Sequence, residues 1–209
     1  QFHCWDEIDV ASYERRLTFS SACQRYSFWN SLSEAGRRVA ILDVPHSRVT
    51  GPLNGVQVVE WGSHDRHFGF HTWPPPRAAD IEAALGLHPI LGIDAYSVRE
   101  FAADDYVHRA GRLRTKEEEA DFLAGLLKGV DAKRKLNAAL LVEGRWDLFL
   151  TVFGESHAIG HQQWHLHDPE HPRFEPELVR AVGGDPVAQL YSKLDAGLGD
   201  MLAQIDGDT

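Results

Sequence analysis

The most apolar stretch of the chain runs directly into a cluster of histidines: Asp147-Leu148-Phe149-Leu150-Thr151-Val152-Phe153-Gly154-Glu155-Ser156-His157-Ala158-Ile159-Gly160-His161. His157 and His161 are four residues apart. On a helix that spacing puts both imidazoles on one face, where they can bind a single metal ion. His165 would extend the series by one turn. Imidazole suits zinc, and a catalytic zinc takes three protein ligands plus water, so Glu155 or a residue distant in sequence is expected to complete the set. Position adds weight, because open α/β sheets bind ligands at the carboxyl ends of their strands. The plainer reading is composition: five of the 12 histidines fall between His157 and His171, and such pairs arise in any histidine-rich segment. For His167 and His171, beside the turn-like Asp168-Pro169 and His171-Pro172, local hydrogen bonding within a rigid loop is the favoured reading.

Other chemistry-bearing residues carry less. Asp43 and His46, in Asp43-Val44-Pro45-His46, follow an apolar run, and a strand-terminating turn explains them better than a ligand role. His64, Asp65, His67 and His71 lie in a long aromatic and proline-rich stretch, at no recognised zinc spacing. Glu117-Glu118-Glu119 reads as a helix start favoured by the macrodipole. Arg37-Arg38 and Arg112–Lys116 read as solvated faces. There is no GxxxxGK[ST], GxGxxG, GxSxG or CxxC, so phosphate-cradling loops, hydrolase elbows and dithiol redox centres lack support.

These residues need a scaffold, and the chain can supply one. Its 209 residues are 43% apolar and 25% charged, an ordinary globular composition with enough length for a sizeable core. The formal charge of -10 argues against binding to nucleic-acid polymers. No apolar run is long enough to span a membrane. Cys4 and Cys23 cannot make a disulfide scaffold and suit a reducing compartment at least as well, which favours the cytoplasm.

Periodicity places the elements. Tyr26, Trp29, Leu32 and Ala35 predict a helix over 25–35, with Gly36 at its C-terminal cap. Residues 38–44 predict a strand apolar on both faces, as in a parallel sheet. A second strand is expected at 56–61, a long irregular loop at 62–76, and a short helix at 77–85 stopped by Gly86. Thr115 and Glu118 form a capping-box pattern, followed by the apolar stripe Phe122, Leu123, Leu126, Leu127 and Val130 of a helix reaching about Glu143. Residues 146–153 predict the strongest strand. From 185 to 205, Val187, Leu190, Tyr191, Leu194, Leu198 and Leu202 are expected to share the buried face of a last helix. Residues 1–24 show no period and read as loop, and 87–114 are ambiguous. Helices alternating with apolar strands imply an α/β fold with a mainly parallel sheet.

Several of these residues together resemble the type I phosphodiesterase/nucleotide pyrophosphatase branch of the alkaline phosphatase superfamily. They are the strand leading into Gly154-Glu155-Ser156-His157-Ala158-Ile159-Gly160-His161, then Trp164, Asp168–Pro172, and Tyr191-Ser192-Lys193-Leu194-Asp195. The upstream stretch Phe28–Pro45 resembles the helix–strand unit of that family. The resemblance implies a three-layer α/β sandwich, incomplete here, in a single partial domain spanning residues 1–209. It also implies a hydrolase of small phosphate esters or diesters with two divalent ions, zinc by preference, and a Thr or Ser nucleophile. His161 matches the histidine of the family's Asp-x-x-x-His, a metal ligand. His157 stands where the family has Asp, exchanging an anionic oxygen for a neutral nitrogen. The family's nucleophile and its remaining ligands match nothing in this chain. With Gln1 in place of Met and Asp206-Gly207-Asp208-Thr209 closing the last helical pattern, the expectation is a central fragment, cut at both ends and inactive alone. A non-catalytic metal- or partner-binding relative and a sulfatase- or mutase-like member are the alternatives.

Overall fold

The computed structural model describes residues 6–17, 26–62, 69–90 and 114–205. Among them the chain runs β1 (Asp6–Ile8), β2 (Arg15–Leu17), α1 (Phe28–Glu34), β3 (Val39–Leu42), β4 (Gly55–Val59), β5 (His71–Trp73) and α2 (Arg77–Leu85). It continues through α3 (Lys116–Glu143), β6 (Leu148–Thr151), α4 (Gly154–Gln162), α5 (Trp164–His167), α6 (Pro176–Ala181) and α7 (Pro186–Leu202). The four-stranded sheet has the order β5-β4-β3-β6, with β3 parallel to both neighbours and β5 antiparallel to β4. This is the expected α/β architecture with a mainly parallel sheet, compatible with an alkaline phosphatase-like fold.

Strand β3 is central because it is apolar on both faces, and all four of its residues are buried. Ala40 and Leu42 pack with Val56, Val58, Ile81, Leu136 and Leu140, beneath α2 and α3. Val39 and Ile41 point the other way, to Trp29 on α1 and Leu53. The period-2 alternation thus puts a helical layer on each side of the sheet. A third core joins Phe122, Leu126 and Val130 of α3 to Ala158, Ile159, Leu166, Val187 and Leu190 of the later helices.

The capping box of α3 forms as expected. Thr115 Oγ1 accepts from Glu118 N at 3.2 Å, and Glu118 Oε2 accepts from Thr115 N at 2.8 Å. Gly36 follows α1 at φ +79°, a left-handed position that glycine adopts without strain.

Three expectations about the fold change. The stretch read as loop over 1–24 contains the antiparallel pair β1–β2, closed by a turn in which the Asp9 carboxylate accepts from Ala11 N and Ser12 N. The stretch 62–76 contains β5, because Thr72 pairs with Val58 in the sheet and its hydroxyl donates to Pro74 O. The apolar residues of α7 divide. Val187, Leu190, Gly197 and Met201 are buried, whereas Tyr191, Leu198 and Leu202 are more than half exposed. The close approach of α3 decides this: a Cβ on Gly197 would lie 2.7 Å from Arg134 Cδ, so the Gly197 side of α7 is the one that packs.

Candidate functional site

The parallel register brings the carboxyl ends of β3, β4 and β6 to one edge, since Leu42 pairs with both Val58 and Thr151. Three segments leave from that edge: Asp43 onward, Glu60-Trp61-Gly62, and Val152-Phe153 into α4. Asp43 at φ +51° and Glu60 at φ +58° both hold left-handed backbone, unusual for non-glycine residues and common where strand ends are bent for function.

Asp43 is a cross-brace. Its carboxylate accepts from Trp61 N at 2.9 Å and from Gly62 N at 2.8 Å, and it pairs with Lys133 of α3. Lys133 Nζ also donates to Val152 O at 3.2 Å. One carboxylate and one ammonium, both side chains fully buried, therefore tie together the ends of all three strands. Lys133 had a sequence signal: it is a charge at helical spacing within the apolar stripe Leu126, Val130, Leu136, Leu140.

His157 and His161 come together as expected. They share one face of α4, both exposed, with ring centroids 4.4 Å apart. The pair fits a zinc-type ion in donor chemistry, supplying two imidazole nitrogens. Among the described residues no group of three or more His, Cys, Asp or Glu side chains is arranged to hold a metal ion.

The proposed extensions of the pair do not join it. Glu155 turns inward and is fully buried, with Oε1 3.0 Å from His88 Nε2. His165 is not the next turn of the same helix. Gln163 breaks α4 at φ -128°, ψ 13°, because its side-chain amide is drawn to Glu119, donating to the Glu119 carbonyl at 2.8 Å and carboxylate at 2.7 Å. His165 then sits on α5, buried, with Nε2 3.7 Å from Glu119 Oε1. Burial first, then the positive charges of Arg173, His171 and Arg114, push the His165 pKa down to about 4, so this imidazole is neutral at pH 7. Glu119 is more than a charge at a helix start: it is the buried acceptor that organises this corner.

Of the remaining candidates, His167 donates through Nδ1 to Asp185 Oδ2 at 2.7 Å, and Asp185 Oδ1 caps α7 by accepting from Val187 N and Ala188 N. His167 is thus engaged by a side chain rather than by its own loop. His171 Nδ1 accepts from Arg173 N at 3.1 Å, a local turn as expected. His46 lies exposed in the turn after β3, and His71 begins β5. Arg37 is exposed and pairs with Asp147, whose carboxyl is held below its ordinary range first by the Arg38 backbone N–H and then by Arg37. Cys4, Cys23, His64, Asp65, His67 and Arg112 lie outside the described residues.

The histidine pair lies on the helix that leaves the carboxyl end of a parallel strand, where His161 matches the family's Asp-x-x-x-His and His157 departs from it. A family model described as type I phosphodiesterase / nucleotide pyrophosphatase matches residues 2–209. The chain belongs to that family. Comparison with curated proteins and with solved structures gave no significant match. Membership in the type I phosphodiesterase/nucleotide pyrophosphatase family marks the chain as hydrolase-like, of phosphodiester or pyrophosphate type. It also directs attention to the β3–β4–β6 edge, the part of an α/β sheet where ligands bind. Among the described residues no helix is long and apolar enough to cross a membrane.

Proposed function

We propose that this chain forms part of a metal-dependent hydrolase that cleaves small phosphate esters or diesters, with His157 and His161 as ligands of one divalent ion, zinc by preference. The observation that supports this most is the pairing of the two rings on α4, at the carboxyl end of β6, in a chain whose family match runs from residue 2 to 209. The chemistry such an ion supplies is Lewis acidity toward a phosphoryl oxygen. The chain's own part is to present two neutral nitrogen donors on one rigid helix face and to hold the three strand ends in register through Asp43 and Lys133. In this reading the hydroxyl nucleophile and the remaining ligands are supplied from outside residues 1–209, following the family pattern. Two imidazoles without an anionic oxygen make a less negative half-site than an Asp–His pair, one that still suits a zinc-like ion.

Zinc titration of the chain against H157A and H161A tests the ligand assignment. The expected result is weak binding of one equivalent, lost in either variant. Tight zinc binding that survives both substitutions would remove His157 and His161 from the site. Turnover of bis-p-nitrophenyl phosphate by the chain alone is expected to be absent, and robust metal-dependent turnover would place the nucleophile within residues 1–209.

A further inference from the structure

Beneath α4 lies a second polar group that the proposed chemistry does not use. His88 and Glu155 are both fully buried. Their closest atoms are 3.0 Å apart, at contact distance for an ion pair, yet His88 Nε2 and both oxygens of Glu155 lack a well-directed hydrogen bond. Buried polar atoms of this kind are rare and call for an explanation. His88 Nδ1 accepts from Ile90 N at 3.3 Å, which makes Nε2, the ring nitrogen nearest Glu155, the protonated one.

The pair sits in a cradle made by two glycines. A Cβ on Gly129 of α3 would fall 2.8 Å from Glu155 Oε1 and 2.8 Å from His88 Cε1, and one on Gly62 would fall 2.6 Å from His88 Nε2. Gly62 is the residue whose N–H Asp43 holds, and the Trp61 ring meets His88 edge to face at 4.9 Å. The fixed loop after β4 therefore holds His88, and His88 faces Glu155.

Glu155 belongs to the first turn of α4, so its direction sets the rotation of that helix. At about 100° per residue, an inward Glu155 puts Ala158 and Ile159 on the same inward side and turns His157 and His161 about 200° and about 240° away. The burial agrees: Ala158 and Ile159 are fully buried, and both histidines are exposed. Ala158 and Ile159 are apolar and tolerate some rolling, whereas a buried carboxylate that swings away from His88 Nε2 loses the polar neighbour that offsets its burial.

We infer that Glu155 and His88 are positioning residues: a buried carboxylate–imidazole pair that fixes the rotation of α4 and so aims His157 and His161 at a common ion. The inference rests on the metal-ligand reading for its functional consequence. Partners that hydrogen-bond a metal ligand directly contribute about 10–100-fold to metal affinity; Glu155 and His88 act only through the rotation of α4, so the lower end of that range is expected.

The test uses the full chain as wild type, E155Q and H88Q, with zinc titration and amide hydrogen exchange read side by side. Exchange in α4 is expected to quicken about tenfold in both variants while the α3 interior keeps its protection. Zinc affinity is expected to fall about tenfold in both. Unchanged α4 exchange in a folded variant overturns the inference. So does exchange that rises equally in α3 and α4, the sign of general destabilisation, and so does unchanged zinc affinity where α4 has loosened. If the wild type binds no zinc, the ligand reading fails by itself, and the exchange arm still decides whether Glu155 and His88 fix α4. Should neither variant fold, the wild-type imidazole nitrogen spectrum decides: Nε2–H on His88 is expected, and Nδ1–H overturns the pair.

Discussion

Replacing Lys133 by Met isolates the contribution of one buried charge. Met keeps the length of the side chain and its apolar stem, but not the ammonium that lies 6.0 Å from the Trp61 ring. What disappears is the ammonium that pairs with Asp43 and donates to Val152 O. The Asp43 carboxylate is left fully buried with two amide donors, Trp61 N and Gly62 N, and no countercharge. Both partners are shielded from solvent, so water cannot take over the role of the ammonium without opening the core. Breaking a buried pair in this way costs about 3–5 kcal/mol. A domain of this size is stable by about 5–15 kcal/mol, so the loss is about a fifth or more of the total. Urea unfolding provides the assay: the midpoint should drop with little change in slope. D43N in the same background should be less harmful than the sum of the two single changes, by at least about 0.5–3 kcal/mol of coupling. A loss below about 1 kcal/mol for K133M, the range of an exposed ion pair, would refute the claim that the Lys133 charge balances Asp43.

Further outcomes follow from other sites. His165 is neutral in the fold, with a pKa of about 4 against about 6.5 unfolded, so the unfolded chain binds more protons between those values. Stability should therefore fall as pH drops from about 6.5 to about 4, by up to about 3 kcal/mol; H165Q should flatten that slope in urea melts at pH 7 and 4.5, and an unaltered slope would contradict the assignment. Thr115→Ala removes the N-cap oxygen of α3 and should cost about 0.5–2 kcal/mol, seen as a lower melting temperature. Gly129→Ala places a methyl against Glu155 and His88, and should destabilise by about 1–3 kcal/mol despite the better helix propensity of Ala; a neutral or stabilising result in thermal melts would mean the cradle can give way.

The parts of the fold that could be read from the chain are those whose determinants are local. Thr115 and Glu118 mark the start of α3 because a capping box needs only four consecutive residues, and Gly144 follows its last residue, Glu143. Residues 39–42 are apolar without alternation because both faces of β3 are covered. His157 and His161 share a face because helical geometry alone puts them there. The elements that escaped depend on distant partners. Strand β5 is three residues long and exists by pairing with β4. The residues Tyr191, Leu198 and Leu202 satisfy the helical period as well as Val187 and Leu190 do, and the position of Arg134 on α3 selects which set is buried.

The same division runs through the candidate site. Residue types and spacing by themselves determined an α/β chain with an imidazole pair following β6, and resemblance to known motifs, matched by the family model, placed it in the type I phosphodiesterase/nucleotide pyrophosphatase family. Only the tertiary structure decided which neighbours serve that pair. Glu155 or a residue distant in sequence could complete the ligand set by residue type alone, but two residues along a helix is about 200° around it, so the inward side that buries Glu155 carries it away from the histidines. His165 looked like the next turn until Glu119, 44 residues from Gln163, drew that glutamine out of the helix. Lys133 and Asp43 are 90 residues apart, and no periodicity links them. Their pairing arises because a charge enclosed by packed strands and helices must find its opposite there, a requirement that exists only once the sheet and α3 have closed around it.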